Sequence, residues 1–543
     1  MQKFSLLIVL LLWVFKASSV TPAVYGPEAA LVPLPADVAV TKQKPLDFSN
    51  GYKLTALSPL LDNEAEELAA ILSARLGAEM SESGAVKVSL SIDGSMQPEQ
   101  YELTSGNGHL NITGGSAAGV WYGLMTLDQM LLGDVPSTAV GKLAAVKVSD
   151  MPRYGYRALM LDPARNFLPV EDVKRYIDRM ARYKYNVLQL HLTDDEGWRI
   201  EIPSHPELTA IGAVRDKKRA ADAAPANGFY TAADLREIID YAAKRHIEIV
   251  PELDIPGHTA ALLAAHPEMR CEIAGDTSAV SLGDSHNLML CASVSDVYSL
   301  YDDVITTVAS IFPSKRIHLG GDESVIERNW GRCAKDSLLM DSLGYTSPAQ
   351  LMNHFFGKIL GSVRRAGKEA VLWCELDNIY PPANEYLFDY PQDVTLVTWR
   401  YGLTPKCIEL TGRHGNKLIM APGEYAYLDY PQLKGDLPEW NNWGMPVTTL
   451  EKCYELDPGY GLPDAESSHI IGVMATLWGE AIADINRANY MTYPRGLSIA
   501  EAAWTPMNRR SFDGFRRRMW PNITEMMSKG TSVRAPFEVG SAE

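Results

Sequence analysis

The sequence predicts a closed (β/α)8 barrel, the TIM-barrel class of α/β fold, preceded by a small α+β domain. Two observations support this. After Met151-Pro152, eight short apolar strand patterns alternate with helix patterns, as in a parallel closed barrel. Before residue 150 the pattern is mixed and contains no internal repeat. We therefore expect a signal segment at residues 1–19, an α+β domain at 20–150 and the barrel domain at 151–543.

Length and composition limit the class of protein. At roughly 100–200 residues per domain, a chain of 543 residues suggests two domains, and 46% hydrophobic residues argue against disorder. The net charge of -17 comes from 67 acidic and 50 basic residues. Such a charge repels nucleic acid and anionic membranes, so we expect neither as a partner.

The first residues have the pattern of a secretory signal peptide. Lys3 precedes an apolar run from Phe4 to Phe15, and Ala17-Ser18-Ser19 supplies the small residues that favour cleavage near Ser19. A membrane span is the alternative, but the run is shorter than the roughly 20 residues that such a helix needs. The pattern predicts an exported protein, in a periplasmic, secreted or lysosome-like location, without a stable membrane anchor.

The region before residue 150 contains both helix and strand patterns. The patterns predict a helix over Asn63–Leu76, a strand over Val86–Ile92, two strands within Tyr101–Thr113, and a helix over Val120–Leu132. Its polar residues form no pattern typical of a catalytic or ligand-binding site. The region is therefore expected to be a structural domain packed on the barrel.

Eight strands are expected in the barrel. They are Arg157–Asp162, Asn186–Leu192, Ile247–Asp254, Arg316–Gly320, Ala370–Cys374, Val394–Trp399, Lys417–Ala421 and Ile470–Leu477. Helix patterns such as Val170–Tyr183 and Thr231–Arg245 separate several of them. An open doubly wound sheet is the alternative. It usually has a glycine-rich dinucleotide-binding turn, and none follows the first strand here.

Acidic residues and tryptophans follow these strands. Active residues of such barrels lie at the C-terminal ends of the strands, where this chain has Asp162, Arg165, Asp194, Asp195, Glu252, Asp254, Asp322, Glu323, Trp373, Glu375, Trp399, Trp478 and Glu480. Taken singly, Asp322 is also suited to cap a helix, and any one tryptophan to pack the barrel. Together they predict a sugar ligand, because aromatic faces pack on pyranose C–H groups and charged groups bind hydroxyls.

One stretch, HLGGDES at residues 318–324, resembles the signature of the beta-N-acetylhexosaminidases of glycoside hydrolase family 20. Further motifs occur in the order of that family: LMLDPARNF at 159–167, HLTDDEGWRIEI at 191–202, PELDIPGH at 251–258, LWCE at 372–375, YLD at 427–429 and LWGE at 477–480. The resemblance covers roughly residues 150 to 510. It implies exo-acting removal of terminal N-acetylglucosamine or N-acetylgalactosamine from glycans or chitin fragments, without a cofactor or metal.

The resemblance also implies roles for individual residues. Glu323 would be the general acid and base, Asp322 would orient the 2-acetamido group, and Tyr427 would donate a hydrogen bond to its oxygen. His258 and Asp194 would support the general acid, with Asp195 left open as the partner of His258. The residues implied to bind the terminal sugar are Arg165, Trp373, Trp399, Asp429, Trp478 and Glu480. Asn166 departs from the histidine that is common beside this arginine in the family.

The adjacency of the two acids bears on the mechanism. Retaining glycosidases usually hold acid and nucleophile roughly 5 Å apart across the scissile bond, whereas neighbours in extended backbone diverge. Family 20 is an exception in which the substrate assists. We therefore expect the acetamido oxygen to attack the anomeric carbon, giving an oxazolinium intermediate and retained configuration.

Several alternatives stay open at this stage. They are a family member that releases a disaccharide, a barrel glycosidase that forms a covalent glycosyl-enzyme, and an inactive carbohydrate-binding protein. The natural glycan, the gluco or galacto preference and the oligomeric state are open as well. The six cysteines allow 15 full pairings; Cys271 and Cys291 flank a segment that a disulfide would staple, and Cys374 is expected to be a buried thiol. No zinc-type cysteine spacing occurs.

Overall fold

The computed structural model describes residues 26–133, 141–215, 227–276, 280, 282, 288–436 and 446–535. The expected signal segment lies outside these ranges. Within them, no helix combines the length and the apolar composition needed to cross a membrane.

The N-terminal part is an α+β unit built on one sheet. Its strands are β1 Asp37–Val40, β2 Leu46–Asp47, β3 Tyr52–Leu57, β4 Val86–Ile92, β5 Tyr101–Gly106, β6 His109–Gly114, β7 Lys142–Leu143 and β8 Val146–Asp150, and its helices are α1 Asp62–Leu76 and α2 Ala117–Gly133. Six strands form a mixed sheet in the order β1-β8-β5-β6-β4-β3, and β2 pairs with β7. The alternation in β4 buries Val86, Val88 and Leu90, which explains why its bounds were predictable.

The barrel closes as the sequence predicts. Its strands are β9 Tyr156–Leu161, β10 Val187–His191, β13 Glu248–Ile255, β14 Arg316–Gly320, β15 Glu369–Trp373, β16 Thr395–Thr398, β17 Leu418–Met420 and β18 Ile470–Ala475, with a small hairpin of β11 Thr193–Asp194 and β12 Gly197–Trp198 after β10. Each barrel strand pairs in parallel with the next, and β18 pairs with β9. The fold class is confirmed, and the open-sheet alternative is wrong.

Helices follow most barrel strands. They are α3 Val170–Arg182, α4 Glu207–Ala210, α5 Ala232–Ala243, α6 Ala260–Ala265, α7 Ser295–Ile311, α8 Ala334–Leu343, α9 Pro348–Arg365, α10 Thr404–His414, α11 Gly423–Ala426, α12 Leu450–Tyr454, α13 Asp464–Ser467, α14 Ile485–Thr492, α15 Arg495–Trp504 and α16 Phe512–Ser528. Short 3-10 helices cover Pro267–Met269, Trp330–Arg332 and Met507–Arg509.

The pleat of β14 shows how the barrel positions its site. Ile317 and Leu319 belong to the large core cluster between strands and helices. His318 is fully buried and contacts Glu252 of β13, with Nδ1 and Oε1 3.1 Å apart. Since side chains alternate along a strand, one face of β14 anchors the barrel and the other contributes polar groups to its interior.

The two units meet at buried polar contacts. Asp150, at the end of β8, accepts hydrogen bonds from Lys184 Nζ at 3.2 Å, Trp504 Nε1 at 2.9 Å and Tyr101 OH at 2.7 Å. Arg157 of β9 donates two hydrogen bonds to Glu99, at 2.8 and 2.9 Å. The N-terminal unit is therefore joined to the barrel by the buried charges of Asp150, Lys184 and Arg157 and by the partly exposed Glu99.

Candidate active site

The turn after β14 places Asp322 and Glu323 in different environments. Gly320 and Gly321 have φ of +65° and +96°, and Glu323 itself has φ of +46°. A Cβ added at Gly320 would lie 1.7 Å from Asp254 Oδ1, so only glycine fits. The side chain of Asp322 is 9% exposed and that of Glu323 is 41% exposed. One acid therefore faces the interior and the other is open to a ligand.

His258 lies between the two acids and a second carboxylate pair. Its Nε2 is 3.7 Å from Asp322 Oδ2 and 3.6 Å from Glu323 Oε2. Its Nδ1 is 3.4 Å from Asp194 Oδ1 and 3.6 Å from Asp195 Oδ2. Although burial opposes it, the charge of Asp194 holds the pKa of His258 well above its usual range. Both aspartates adjoin the ring, and Asp194 lies nearer.

Arg165 lies in a set of buried carboxylates. Its guanidinium nitrogens contact Asp194 Oδ2 at 2.8 Å, Asp162 Oδ2 at 3.0 Å and Glu196 Oε2 at 3.3 Å. Its charge, with that of His258, holds the pKa of Asp194 well below its usual range against the effect of burial. Three carboxylates therefore fix the orientation of the Arg165 guanidinium. Its contact with sugar hydroxyls stays a prediction.

The three predicted tryptophans come together as one group. The ring centroid of Trp373 lies 5.7 Å from that of Trp478 and 6.5 Å from that of Trp399. The ring of Tyr427 stacks on Trp399 at 6.5 Å with an interplanar angle of 16°. Arg165 Cζ lies 5.0 Å from the centre of the Trp478 ring, which joins this aromatic group to the carboxylates.

Asp429 and Glu480, which the resemblance assigns to the far side of the sugar, are neighbours in space. Asp429 is 8% exposed. Burial, followed by the charge of Glu480, raises the pKa of Asp429 well above its usual range. Arg495 donates hydrogen bonds to the carbonyls of Leu428 and Tyr430. These bonds fix the backbone on both sides of Asp429.

Sequence reasoning did not single out Arg400, which forms a two-point ion pair with Glu375. Arg400 Nε and Nη2 each lie 2.9 Å from a Glu375 oxygen, and Glu375 Oε1 accepts the backbone N–H of Glu323 at 3.4 Å. Burial raises the pKa of Glu375 to about 7, although Arg400 opposes the shift. Arg400 directly follows Trp399 at the end of β16, which was the available signal.

Glu252 and His191, to which the sequence analysis gave no role, form a buried network in contact with Trp373. Glu252 accepts the indole N–H of Trp373 at 2.9 Å and contacts His191 Nδ1 at 2.9 Å. His191 Nε2 in turn lies 2.7 Å from Asp194 Oδ2. Despite burial, the charges of His318 and His191 hold the pKa of Glu252 well below its usual range. This network orients Trp373 and the aspartate beside His258.

Some polar atoms of the site are suited to a ligand. Within the described residues, Asp322 Oδ1, Tyr427 OH and Trp399 Nε1 are buried without a hydrogen-bond partner. Such atoms are uncommon in folded proteins, and an amide-bearing ligand would satisfy donors and acceptors together. The ligand atoms of Asp254, His258 and Asp322 also lie within 4.8 Å of one another, close enough to share a cation. That the reaction needs no metal stays a prediction.

Comparison with known proteins gives consistent matches. The model of the glycosyl hydrolase family 20 catalytic domain matches residues 154–507, and that of domain 2 of the same family matches residues 28–151. A beta-hexosaminidase of Akkermansia muciniphila is 38% identical over 429 residues, covering 78% of this chain and 83% of the relative. A beta-N-acetylhexosaminidase of Cellulomonas fimi is 32% identical, covering 91% and 93%. The crystal structure of a family 20 exo beta-N-acetylglucosaminidase from Vibrio harveyi, in complex with N-acetylglucosamine, has a TM-score of 0.80 at 28% identity over 94% of this chain and 79% of that one.

Proposed function

This chain belongs to glycosyl hydrolase family 20, and from that membership we propose that it removes single terminal N-acetylhexosamines by hydrolysis in which the substrate supplies the nucleophile. The observation that carries the mechanism is the unequal exposure of Asp322 and Glu323 beside the shared ring of His258. A general acid must reach the leaving oxygen, which suits the exposed Glu323. A group that stabilises the acetamido must lie inside the pocket, which suits the buried Asp322.

The reaction then runs in two steps. First, the acetamido oxygen forms a bond to the anomeric carbon while the bond to the leaving oxygen breaks, and Glu323 gives its proton to that oxygen. Asp322 stabilises the positive charge that develops on the acetamido nitrogen, and Tyr427 donates to the acetamido oxygen. In the second step, Glu323 takes a proton from water, the water oxygen attacks the anomeric carbon and the oxazolinium ring opens. The two displacements retain the configuration.

Exo action is supported by the polar groups around one end of the pocket. The resemblance to family 20 assigns Arg165, Asp429 and Glu480 to the hydroxyls of one terminal sugar, and Asp429 and Arg165 are both buried. On this proposal they close the pocket beyond that sugar. Digestion of a chito-oligosaccharide labelled at its reducing end tests this proposal. Products shorter by single sugars are expected, and disaccharide steps or internal cuts as first products would contradict it.

Glu323→Gln tests the proton transfer. Acid catalysis typically contributes roughly 100- to 10,000-fold, and a good leaving group needs it least. The variant should therefore lose much more kcat/KM on a chito-oligosaccharide than on an aryl N-acetylglucosaminide with an acidic phenol. Glu327→Gln, an exposed acid four residues further on, is the control and should leave both rates unchanged. Equal losses on both substrates would remove Glu323 from this role.

We also propose that the protein is exported, on the strength of the pattern from Lys3 to Ser19. Expression in a bacterial host and N-terminal sequencing of the extracellular or periplasmic product tests it. An intact Met1 in a cytoplasmic product would contradict it.

A further inference from the structure

Three cysteines and one aspartate that are far apart in the sequence meet behind the catalytic loops. The S and O atoms of Cys271, Cys291, Cys333 and Asp336 all lie within 4.8 Å of one another. The four residues are at most 2% exposed. Cys271 and Cys291 come from the segment after β13, whereas Cys333 and Asp336 begin α8, after the turn that carries Asp322 and Glu323.

We propose that Cys271, Cys291, Cys333 and Asp336 bind one structural zinc ion that clamps the segment after β13 to the segment after β14. The chemistry of the donor set points to this metal, because thiolates select thiophilic ions and structural zinc sites are closed and four-coordinate. Aspartate oxygen is an accepted zinc ligand beside sulfur.

The distances fit a tetrahedral site. With Zn–S bonds of about 2.3 Å, two sulfurs of a tetrahedron lie about 3.8 Å apart, and a sulfur and a carboxylate oxygen about 3.5 Å apart. Cys291 Sγ is 3.9 Å from Cys333 Sγ. Asp336 Oδ2 is 3.2 Å from Cys271 Sγ and 3.4 Å from Cys291 Sγ. The side chains therefore need little movement to take up the ion.

The surroundings of Asp336 are those of a ligand rather than of a buried ion pair. The carboxylate accepts the backbone N–H of Ser293 at 2.9 Å and otherwise contacts thiols. Among the ion pairs of the described residues, none includes Asp336. A buried carboxylate is usually paired or bound to metal, because an isolated buried charge is costly. The Ser293 N–H is the kind of outer contact that orients a ligating oxygen.

The clamp connects to the catalytic residues through the backbone. Leu290, beside Cys291, donates its N–H to Pro256 O at 3.0 Å, two residues before His258. The indole of Trp330 donates to Leu290 O at 2.9 Å, and Trp330 lies between Glu323 and Cys333 in the chain. An ion at this point would fix the separation of His258 from the acid pair.

The first test is the metal content of the untagged full-length protein. Inductively coupled plasma mass spectrometry should find one zinc per chain after dialysis against buffer with trace Zn²⁺. Cys333→Ser and Asp336→Asn should lose most of it, whereas Cys453→Ser, which changes a buried cysteine outside the cluster, should keep it. Less than half a zinc in the parent protein, or full occupancy in Cys333→Ser, would overturn the proposal.

A second measurement distinguishes loss of the metal from failure to fold. The parent protein is stripped with a chelator and reloaded with Co²⁺, which should give the strong thiolate-to-cobalt charge-transfer absorption and intense d–d bands of a tetrahedral site. The Tm should fall on stripping and recover with Zn²⁺ but not with Mg²⁺. A disulfide between any two of the three cysteines in unreduced peptides, or a cobalt spectrum without thiolate bands, would show that no such site exists. These readouts do not depend on the proposed hydrolysis.

Discussion

Asp322 and Glu323 are chain neighbours with different surroundings, as the separate tasks proposed for them require. Asp322 lies against Asp254 and His258; burial raises its pKa, and the charge of His258 opposes the shift. Burial and the neighbouring Asp322 raise the pKa of Asp254 well above its usual range. In the proposed mechanism, Asp322 is the carboxylate that stabilises the positive charge developing on the acetamido group.

Glu375→Gln should change how stability depends on pH. The pKa of Glu375 is raised from 4.5 to about 7 in the folded protein. Between these values the folded state holds a proton that the unfolded chain has released, so the free energy of unfolding falls as pH rises. The fall is about 3 kcal/mol at roughly 1.4 kcal/mol per pH unit. Urea unfolding at pH 4.5 and 7.5 should show that the free energy of unfolding of Glu375→Gln, relative to that of the parent protein, rises by about 3 kcal/mol between the two pH values. A difference that does not vary with pH would contradict the burial argument.

At the scale of elements, periodicity made the strands predictable. The bounds of β4 and β14 match the sequence patterns, because each strand has one buried apolar face, and the other barrel strands differ by one to a few residues at their ends. The positive φ of Glu323 was not predictable, and the position of Arg400 after Trp399 pointed to the site but not to Glu375 as its partner. Both features depend on how neighbouring barrel strands are aligned, and the local sequence of one strand does not determine that alignment. The cysteine cluster was missed for the same reason, since its members come from different loops.

Gly320→Ala tests the turn after β14. The added Cβ would lie 1.7 Å from Asp254 Oδ1 at a φ of +65°, so the turn or Asp254 must shift. We expect destabilisation of at least about 1–3 kcal/mol and a loss in kcat that exceeds any rise in KM. Gly357→Ala is the matched control: this glycine lies in the exposed face of α9 with nothing within 4 Å of its added Cβ. It should stabilise by about 0.5–1 kcal/mol and leave kcat unchanged. Equal effects of the two substitutions would show that the turn tolerates a side chain.

For the whole molecule, the junction at Asp150 is the buried polar contact that joins the two units. Burial lowers the pKa of Lys184 to about 8, against the attraction of Asp150, so the lysine depends on this partner for its charge. The same carboxylate holds Trp504 of α15 and Tyr101 of β5. The N-terminal unit thus contacts the barrel near the N-terminal ends of β9 and β10, whereas the candidate site lies at the C-terminal ends of the strands.

Asp150→Ala should weaken this junction without changing the site. Removing one partner of a buried pair costs about 3–5 kcal/mol, because the remaining charge stays buried. Denaturant unfolding should show this loss, whereas KM at low temperature should be unchanged. Glu82→Ala, which breaks an exposed pair with Lys53, is the control, with an effect within about 1 kcal/mol. A loss as small as that of Glu82→Ala would show that Asp150 does not join the units.

A matched pair of aryl glycosides tests most directly whether the substrate supplies the nucleophile. One carries a 2-acetamido group and the other a 2-hydroxyl group, and both are measured with the parent protein and with Asp322→Asn. We expect far slower turnover of the hydroxyl substrate by the parent protein. Asp322→Asn should lower kcat on the acetamido substrate more than it raises KM, and it should have little effect on the hydroxyl substrate, because the carboxylate acts on a charge that only the acetamido group develops. Comparable turnover of the two substrates by the parent protein, or a sugar found by mass spectrometry on a carboxylate of the protein, would show that the protein supplies the nucleophile.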